Sequence, residues 1–379
     1  MPTTSTSQRR RQRGMSLIEV MVAMVIGMIG CIVVFQVFSI AESRKRTISA
    51  GSDMDVSGRL GLMALTRDVQ LAGYGYGQAG ANNATAGGTS AFGCTVAAYD
   101  SLRAAGSQDF TFTLAPVQIT QGASGAPDTI AVLQGSSNLM VTAKTLDQTG
   151  ATTKRVKANT GGRAGAQRGD VVIAVASTPA FACSMFEITG DSNADQLTLD
   201  HATGSYTTAA GTSKTARYNS GLSSALTMTG EGRLYNLGAT PYLNSWSVSG
   251  GKLVVSNGIT GTGNVEAADS IVNLQAEYGY DANGNGQIAS SEWQTTAPVD
   301  WTRVLAVRVA ILARGQYELQ QVTTAAPQWI GGTFTMTNVD GTADSGASAT
   351  GPNNWRNYRY NVFEAVIPLK NVLWGVKIT

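Results

Sequence analysis

The hydrophobic pattern changes its period along the chain. Residues 20–41 run apolar without a single charge, interrupted by Gly27, Gly30, Gln36 and Ser39. At a rise of ~1.5 Å per residue, a helix of that length crosses a ~30 Å hydrocarbon core. A helical period then outlasts the apolar run. Val56, Leu60 and Met63, with Leu62, Leu65 and Val69, recur at the spacings of one helix face, and no proline falls between Pro2 and Pro116. Arg44, Lys45 and Arg46 mark the exit from the apolar stretch, while Gly51, Gly58 and Gly61 weaken the continuation of the helix. The glycines of segment 71–77 are expected to end it.

From about residue 90 the period becomes two. Phe110, Phe112 and Leu114 alternate with polar residues, as do Ile130 and Val132, and Leu305, Val307, Val309 and Ile311 oppose Arg308. Segments 171–175 and 197–199 are short apolar runs, and 271–280 and 301–312 read as strands. Segments near 148–168, 202–228 and 338–354 hold few large apolar residues and are expected as exposed loops. The pattern predicts an α+β protein. Its parts are a short leader (1–14), a long N-terminal helix (15–75, membrane-spanning to about residue 41) and a large antiparallel β-rich domain (76–379).

Composition suits a β-rich, loop-rich domain outside the cytoplasm better than a cytosolic enzyme. Charged residues are 14% of the chain, against roughly 25% in an average soluble domain. Glycine is abundant at 44 residues. The formal charge of +2 includes Arg9, Arg10, Arg11 and Arg13, so a chain without its leader is net acidic. Counterion release could therefore drive little nucleic-acid binding, and no nucleic-acid partner is expected.

The leader ends in Arg13-Gly14, and Met15-Ser16-Leu17-Ile18-Glu19 comes next at the head of the apolar run. An ordinary secretory signal places its cleavage site after the apolar region. Here the processing site, between Gly14 and Met15, precedes it, so the apolar helix stays in the mature protein. A carboxylate at the start of a lipid-embedded helix needs a cation. Cleavage after Gly14 creates one, the new amine on Met15 of a neighbouring subunit, which Glu19 can meet.

Of the three cysteines, Cys31 lies in the apolar helix, where it packs as a small apolar residue. Cys94 and Cys183 are the pair left to bond in an oxidising compartment. The alternative is two free, buried thiols.

Segment 281–292 fits D-x-[DN]-x-[DN]-G-x₅-E at every defined position. Asp281, Asn283, Asn285, the carbonyl of Gln287 and Glu292 could wrap a calcium ion, with Gly286 permitting the sharp turn. Two acidic ligands predict modest affinity, on the order of 10⁻⁵–10⁻³ M. The competing reading is a plain turn, because Asn283-Gly284 and Asn285-Gly286 are strong hairpin signals. Other signals carry less. Gly75-Tyr76-Gly77-Gln78-Ala79-Gly80 satisfies G-x-G-x-x-G but stands after a helix and opens no βαβ unit. His201, the single histidine, has no companion motif for catalysis, so no enzyme is expected. The six tryptophans read chiefly as packing residues.

Gly14 to Glu19 with the adjoining apolar run resembles the signal of type IV pilins and type II secretion pseudopilins. That resemblance implies cleavage after Gly14 by a prepilin peptidase, methylation of Met15, and pairing of Glu19 with a neighbour during assembly. Met15 departs from the phenylalanine usual in major pilins. Within the class, the chain resembles the PilW group of minor pilins. The carrying features are the cysteine pair, Tyr278-Gly279-Tyr280-Asp281 and onward, Leu312-Ala313-Arg314-Gly315, and the tail from Asn357 to Asn371, with Lys370 where arginine is expected. The resemblance implies a single-pass protein of the bacterial inner membrane, with its C-terminal domain in the periplasm and a place at the pilus tip. Its partners would be other minor and major pilins, and its work would be to initiate pilus assembly for twitching motility. A J-type pseudopilin of type II secretion and a pilus-borne adhesin are the alternatives.

Overall fold

The computed structural model describes residues 15–80, 90–137, 143–149, 153–156, 165–176, 183–190, 197–225, 232–318, 321–344 and 351–377. The leader, Gly14 included, and part of the 148–168 segment lie outside these residues. Two compact units divide the chain, Met1–Asp53 and Met54–Thr379. One helix, α1 (Leu17–Leu71), contributes to both.

In the first unit the described residues from Leu17 onward are helical. The N–H groups of Glu19 and Val20 donate to the Ser16 carbonyl at 3.0 and 3.2 Å, which opens the first turn. The stretch Leu17–Glu42 is long and apolar enough to cross a membrane, by length and composition.

In the second unit the rest of α1 turns Met54, Gly58, Gly61, Leu65 and Val69 inward. This corrects the face read from the sequence. Val56, Leu60 and Met63 point outward, at 63%, 48% and 64% exposure, while Leu65 and Val69 are fully buried. Glycine occupies the inner positions because the sheets come close there. A β-carbon at Gly58 would overlap the Phe363 ring, and one at Gly61 would lie 3.1 Å from Ala268 Cβ and from Leu253 Cδ2. Gly58 and Gly61 thus permit close packing rather than end the helix. Past Leu71, Gly73 and Gly75 adopt positive φ (81° and 88°), and the Gly73 N–H passes to the Leu133 carbonyl at 3.1 Å. A short C-terminal helix, α2 (Lys370–Lys377), closes this end. Its Asn371 amide donates to the carbonyls of Ala72 (3.2 Å) and Gln70 (3.4 Å), taking two acceptors that the end of a helix leaves free.

Three main sheets complete the unit. The four-stranded sheet is antiparallel, in the order Trp293–Gln294, Ile271–Tyr280, Val304–Tyr317, Tyr358–Pro368. Strand Ile271–Tyr280 has the bounds expected from the sequence, and the 301–312 segment becomes a 3₁₀ turn (Trp301–Arg303) leading into the long central strand. The five-stranded sheet runs Thr262–Ala268, Lys252–Asn257, Tyr242–Ser249, Thr129–Gln134, Val117–Thr120, again antiparallel.

The eight-stranded sheet is built from strands between Thr95 and Gly238. It contains one parallel seam, between Thr95–Tyr99 and Cys183–Glu187, in an otherwise antiparallel set. The Cys94–Cys183 disulfide lies at that seam, and both cysteines are buried. The free-thiol alternative is therefore set aside. Cys31 is free and exposed in α1.

Every residue of Val171–Ala176 is buried. Val171, Ile173 and Val175 join the main core with Leu65, Val69 and Leu274, whereas Val172, Ala174 and Ala176 join a second cluster with Phe186 and Leu234. Burial on both faces explains the continuous apolar run.

All three expected loops prove more structured than their composition implies, and in segment 148–168 the described residues include strand Thr153–Val156, which pairs within the eight-stranded sheet. Segment 202–228 carries a hairpin, Ser205–Thr207 with Ser213–Thr215, and a 3₁₀ turn, Gly221–Ala225. Polar residues do the holding there. The Asn219 amide accepts from the Glu187 N–H (2.7 Å) and donates to the Glu187 carbonyl (2.8 Å), as a neighbouring strand would. In segment 338–354, Asn338 and Asn354 are buried and a 3₁₀ turn covers Gly351–Asn353, with a second, Trp355–Asn357, directly after it.

Candidate functional site

At the amino-terminal end, Met15 and Ser16 precede the helix and are exposed, as are Leu17, Ile18 and Glu19. Glu19 falls in the first turn of α1. A carboxylate there is favoured by the partial positive charge of the helix start. Its exposure leaves it open to a cation from outside the chain.

The segment from Asp281 to Glu292 connects strand Ile271–Tyr280 to Trp293–Gln294, which pair through Tyr278↔Gln294 and Gly279↔Trp293. It is a hairpin connection, but a long one organised around two carboxylates. Asp281 Oδ1 accepts from the N–H of Gly284 (2.7 Å) and Asn285 (3.1 Å), and Oδ2 from Gly286 (2.7 Å). Gly284 and Gly286, at φ of 75° and 78°, bend the backbone so that these N–H groups converge. Burial would raise the Asp281 pKa, but the three backbone donors and the nearby Arg303 charge hold it below the usual carboxylate range.

Glu292 folds back across the loop. Its Oε1 accepts from Ala282 N–H (3.1 Å) and Asn283 Nδ2 (2.9 Å), and its Oε2 from Ala289 N–H (2.8 Å). The first and last candidate ligands are thereby drawn to one loop, with Asn283 Oδ1 and Asn285 Oδ1 each accepting from the N–H two residues on. Ile288 packs on Gly279 beside Trp293 and pins the loop to the strand. The oxygen-rich donor set suits a hard cation such as calcium. Two features limit its strength. Arg303 Nη1 donates to the Ala282 carbonyl at 2.8 Å, placing a fixed cation alongside. Among the described residues no cluster of three His, Cys, Asp or Glu forms.

The signals discounted in the sequence have packing roles. His201 is buried with its ring 4.4 Å from that of Phe186. Gly75 and Gly77 sit against the backbone carbonyls of Asn236 and Asn371. Trp246, Trp301 and Trp355 are buried, and Trp293 and Trp329 flank the Arg308 guanidinium at 4.7 and 5.5 Å from their ring centres. That guanidinium also meets the Glu277 carboxylate across the strand pair, at 2.5 Å.

Sequence reading missed Asp68. This carboxylate lies on the inner face of α1 and accepts from Gln134 Nε2 (2.8 Å), Asn244 Nδ2 (3.0 Å) and Trp246 Nε1 (2.6 Å). Burial pushes its pKa up, against the pull of those three donors. The available signal was an acidic residue set next to Val69, on the buried side of an amphipathic helix.

Comparison with known families places these features. The family model for the prokaryotic N-terminal methylation motif matches residues 9–35. That for the Type IV Pilus-assembly protein W matches residues 242–371. No curated protein and no solved structure matches the chain. The chain is a type IV pilin-like protein. Within that class it resembles the pilus-assembly W proteins, over a stretch that holds all four strands of the four-stranded sheet and three of the five-stranded one.

Proposed function

We propose that this protein is a minor pilin that helps initiate type IV pilus assembly within a tip complex, as a scaffold and not an enzyme. What carries the reading is one coincidence. The Gly14-to-Glu19 signal heads an apolar helix, and the same chain resembles the pilus-assembly W proteins from 242 to 371. A prepilin peptidase removes residues 1–14 and methylates the amine of Met15. The protein then stands in the bacterial inner membrane with its C-terminal domain in the periplasm. Apolar helices bundle with those of other minor and major pilins, and Glu19 fixes their register by taking a neighbour's terminal cation.

The test is a clean gene deletion, scored for surface pili by electron microscopy and for exoprotein secretion in the same cells. Loss of pili with secretion intact is the expected result. Intact pili with blocked secretion would make the protein a J-type pseudopilin, and normal results for both would favour an adhesin. Complementation with Glu19→Val should give stable protein without restoring pili or twitching.

The segment from Asp281 to Glu292 is, in the same proposal, a calcium loop held by Asp281, Asn283, Asn285, the Gln287 carbonyl and Glu292. Its burial-compensated Asp281 and the return of Glu292 support that reading. Calorimetry on the full chain in detergent should show saturable heat with calcium, at a dissociation constant on the order of 10⁻⁵–10⁻³ M. Asp281→Ala should abolish it. No heat from the unaltered chain would end the calcium reading without touching the pilin one.

A further inference from the structure

Strand Tyr358–Pro368 ends the four-stranded sheet, and its outer edge pairs with no other strand. Its register with Val304–Tyr317 is regular from Tyr360 to Pro368. Beyond that ladder, no backbone group among the described residues bonds to the backbone between Arg359 and Ile367. Soluble proteins usually blunt such an edge with a bulge, lysines or a covering segment. Here Arg359 and Pro368 mark the two ends, and Glu364 is the one charged residue between them. Its carboxylate turns to the hairpin, where it accepts from the Ile330 N–H at 2.8 Å.

A groove of about 800 Å³ lies between this strand and α1. Helix and strand run side by side in the same direction. The Asp55 carboxylate accepts from the Asn361 amide, Gly58 lies against the Phe363 ring, and the Ala72 carbonyl accepts from the Asn371 amide. On the helix wall stand Arg59, Met63 and Arg67, each four residues from the last and all three exposed. Among the described residues neither arginine has a carboxylate within ion-pair distance. Leu62 and Phe363 add apolar surface to the lining.

A row of open backbone N–H and C=O groups at strand spacing is met by another extended backbone, added edge to edge. Side chains on one face of a strand repeat every ~6.8 Å. The steps from Arg59 to Met63 and from Met63 to Arg67 are each ~6 Å along the helix. Three alternate side chains of an added strand therefore stand opposite these three residues. The two guanidiniums call for carboxylates, and Met63 between them calls for an apolar group. We propose that the groove takes an extended segment of a neighbouring pilin subunit, carrying the pattern acid-x-apolar-x-acid, as a further strand beside Tyr358–Pro368. That subunit is of a different kind. Where this chain has acids four residues apart, the residue midway is Thr189, Asn193, Gly279 or Thr342, none of them a large apolar side chain. Naming a pilin as the source rests on the assembly role proposed above.

The experiment is a fluorescence-polarisation titration of the full chain in detergent micelles with a labelled, end-capped peptide, Ser-Thr-Asp-Thr-Val-Thr-Glu-Thr-Ser. Saturable binding is expected. A peptide with asparagine and glutamine in place of the acids should bind about five- to tenfold more weakly, the loss of two charge pairs. One with lysines there should bind more weakly still. Methylating alternate amide nitrogens removes the N–H groups from one edge of a strand. In one register this should abolish binding, and in the other it should spare it. Arg59→Gln together with Arg67→Gln should erase the preference for the acidic peptide. The melting temperature should not fall, since both side chains are exposed and unpaired. No saturable binding, equal binding of the acidic and lysine peptides, equal effects of the two methylation registers, or a preference that survives both substitutions would overturn the proposal. The source is tested in piliated cells by replacing Met63 with photoreactive benzoylphenylalanine. A crosslink to an acid-x-apolar-x-acid segment of another pilin-like subunit is expected. No crosslink, or one to a second copy of this chain or to a protein without the pilin signal, would overturn the assignment of the partner. The peptide titration needs no pilus, so its failure is separable from failure of the assembly role.

Discussion

Two aspartates whose pKa values are shifted in opposite directions frame what single residues do in this domain. Asp68 is buried among neutral donors, and its pKa is raised. The native state therefore takes up its proton at higher pH than the unfolded chain does. From that raised value down towards the ordinary 3.8, stability gains as pH falls. Asp68→Asn removes this gain and turns an amide N–H against one of three donors, leaving at least one unmet, at about 1–3 kcal/mol. Melting curves of both proteins between neutral and mildly acidic pH should show a gap that widens towards acid. A constant gap would mean that the three donors fully offset burial. Asp281 runs the other way. Its pKa is depressed, so its contribution is complete above the ordinary value and is lost as pH falls through the depressed one. The Asp281→Asn gap should close in acid. The Asp68 effect was not legible in the chain, because its donors, Gln134, Asn244 and Trp246, come from segments that only the fold brings near, whereas the donors to Asp281 lie in its own loop.

At the scale of elements, the helix α1 was legible in its existence and its end but not in which way its second half faces. Apolarity alone grouped Val56, Leu60 and Met63 with Leu65, yet the inner stripe is set by Gly58 and Gly61, where the sheet leaves no room for a side chain. A hydrophobic count gives glycine little weight, so the stripe was misplaced. Gly58→Leu should destabilise the domain by about 1–3 kcal/mol through overpacking on Phe363. Phe363→Ala in the same chain should return part of that loss, which thermal melting of the single and double variants would reveal. Gly51→Ala makes the control. No atom lies within 4 Å of a β-carbon there, and helix propensity alone predicts a gain of up to about 1 kcal/mol in the helix. Strands were legible where one face is buried, as at Phe110 and Phe112. The hairpin at Ser205–Thr207 was not, because its support is the amide of Asn219 and not an apolar face.

Across the whole molecule, the β-rich class was readable and the pairing of strands was not, since register depends on segments far apart in the chain. The parallel seam between Thr95–Tyr99 and Cys183–Glu187 is the clearest case, and the disulfide that crosses it was readable from cysteine count. Cys94→Ser with Cys183→Ser should cost about 2–5 kcal/mol, measured as a fall in denaturant midpoint. The stretch resembling the pilus-assembly W proteins begins at residue 242, after the last strand of the eight-stranded sheet. The larger sheet and its disulfide thus lie outside the matched stretch, so the match does not extend to the cysteine pair named among the features of that group. The packing of α1 on the last long strand also has a temporal consequence. The inner stripe of the helix rests on Phe363, and Asp55 accepts a hydrogen bond from Asn361, 306 residues away in sequence. A chain emerging from its N-terminus carries an unsatisfied helix face through nearly the whole of its synthesis. That strand covers the inner stripe, so chains cut short before residue 358 should be prey for proteases and chaperones, however intact their anchor.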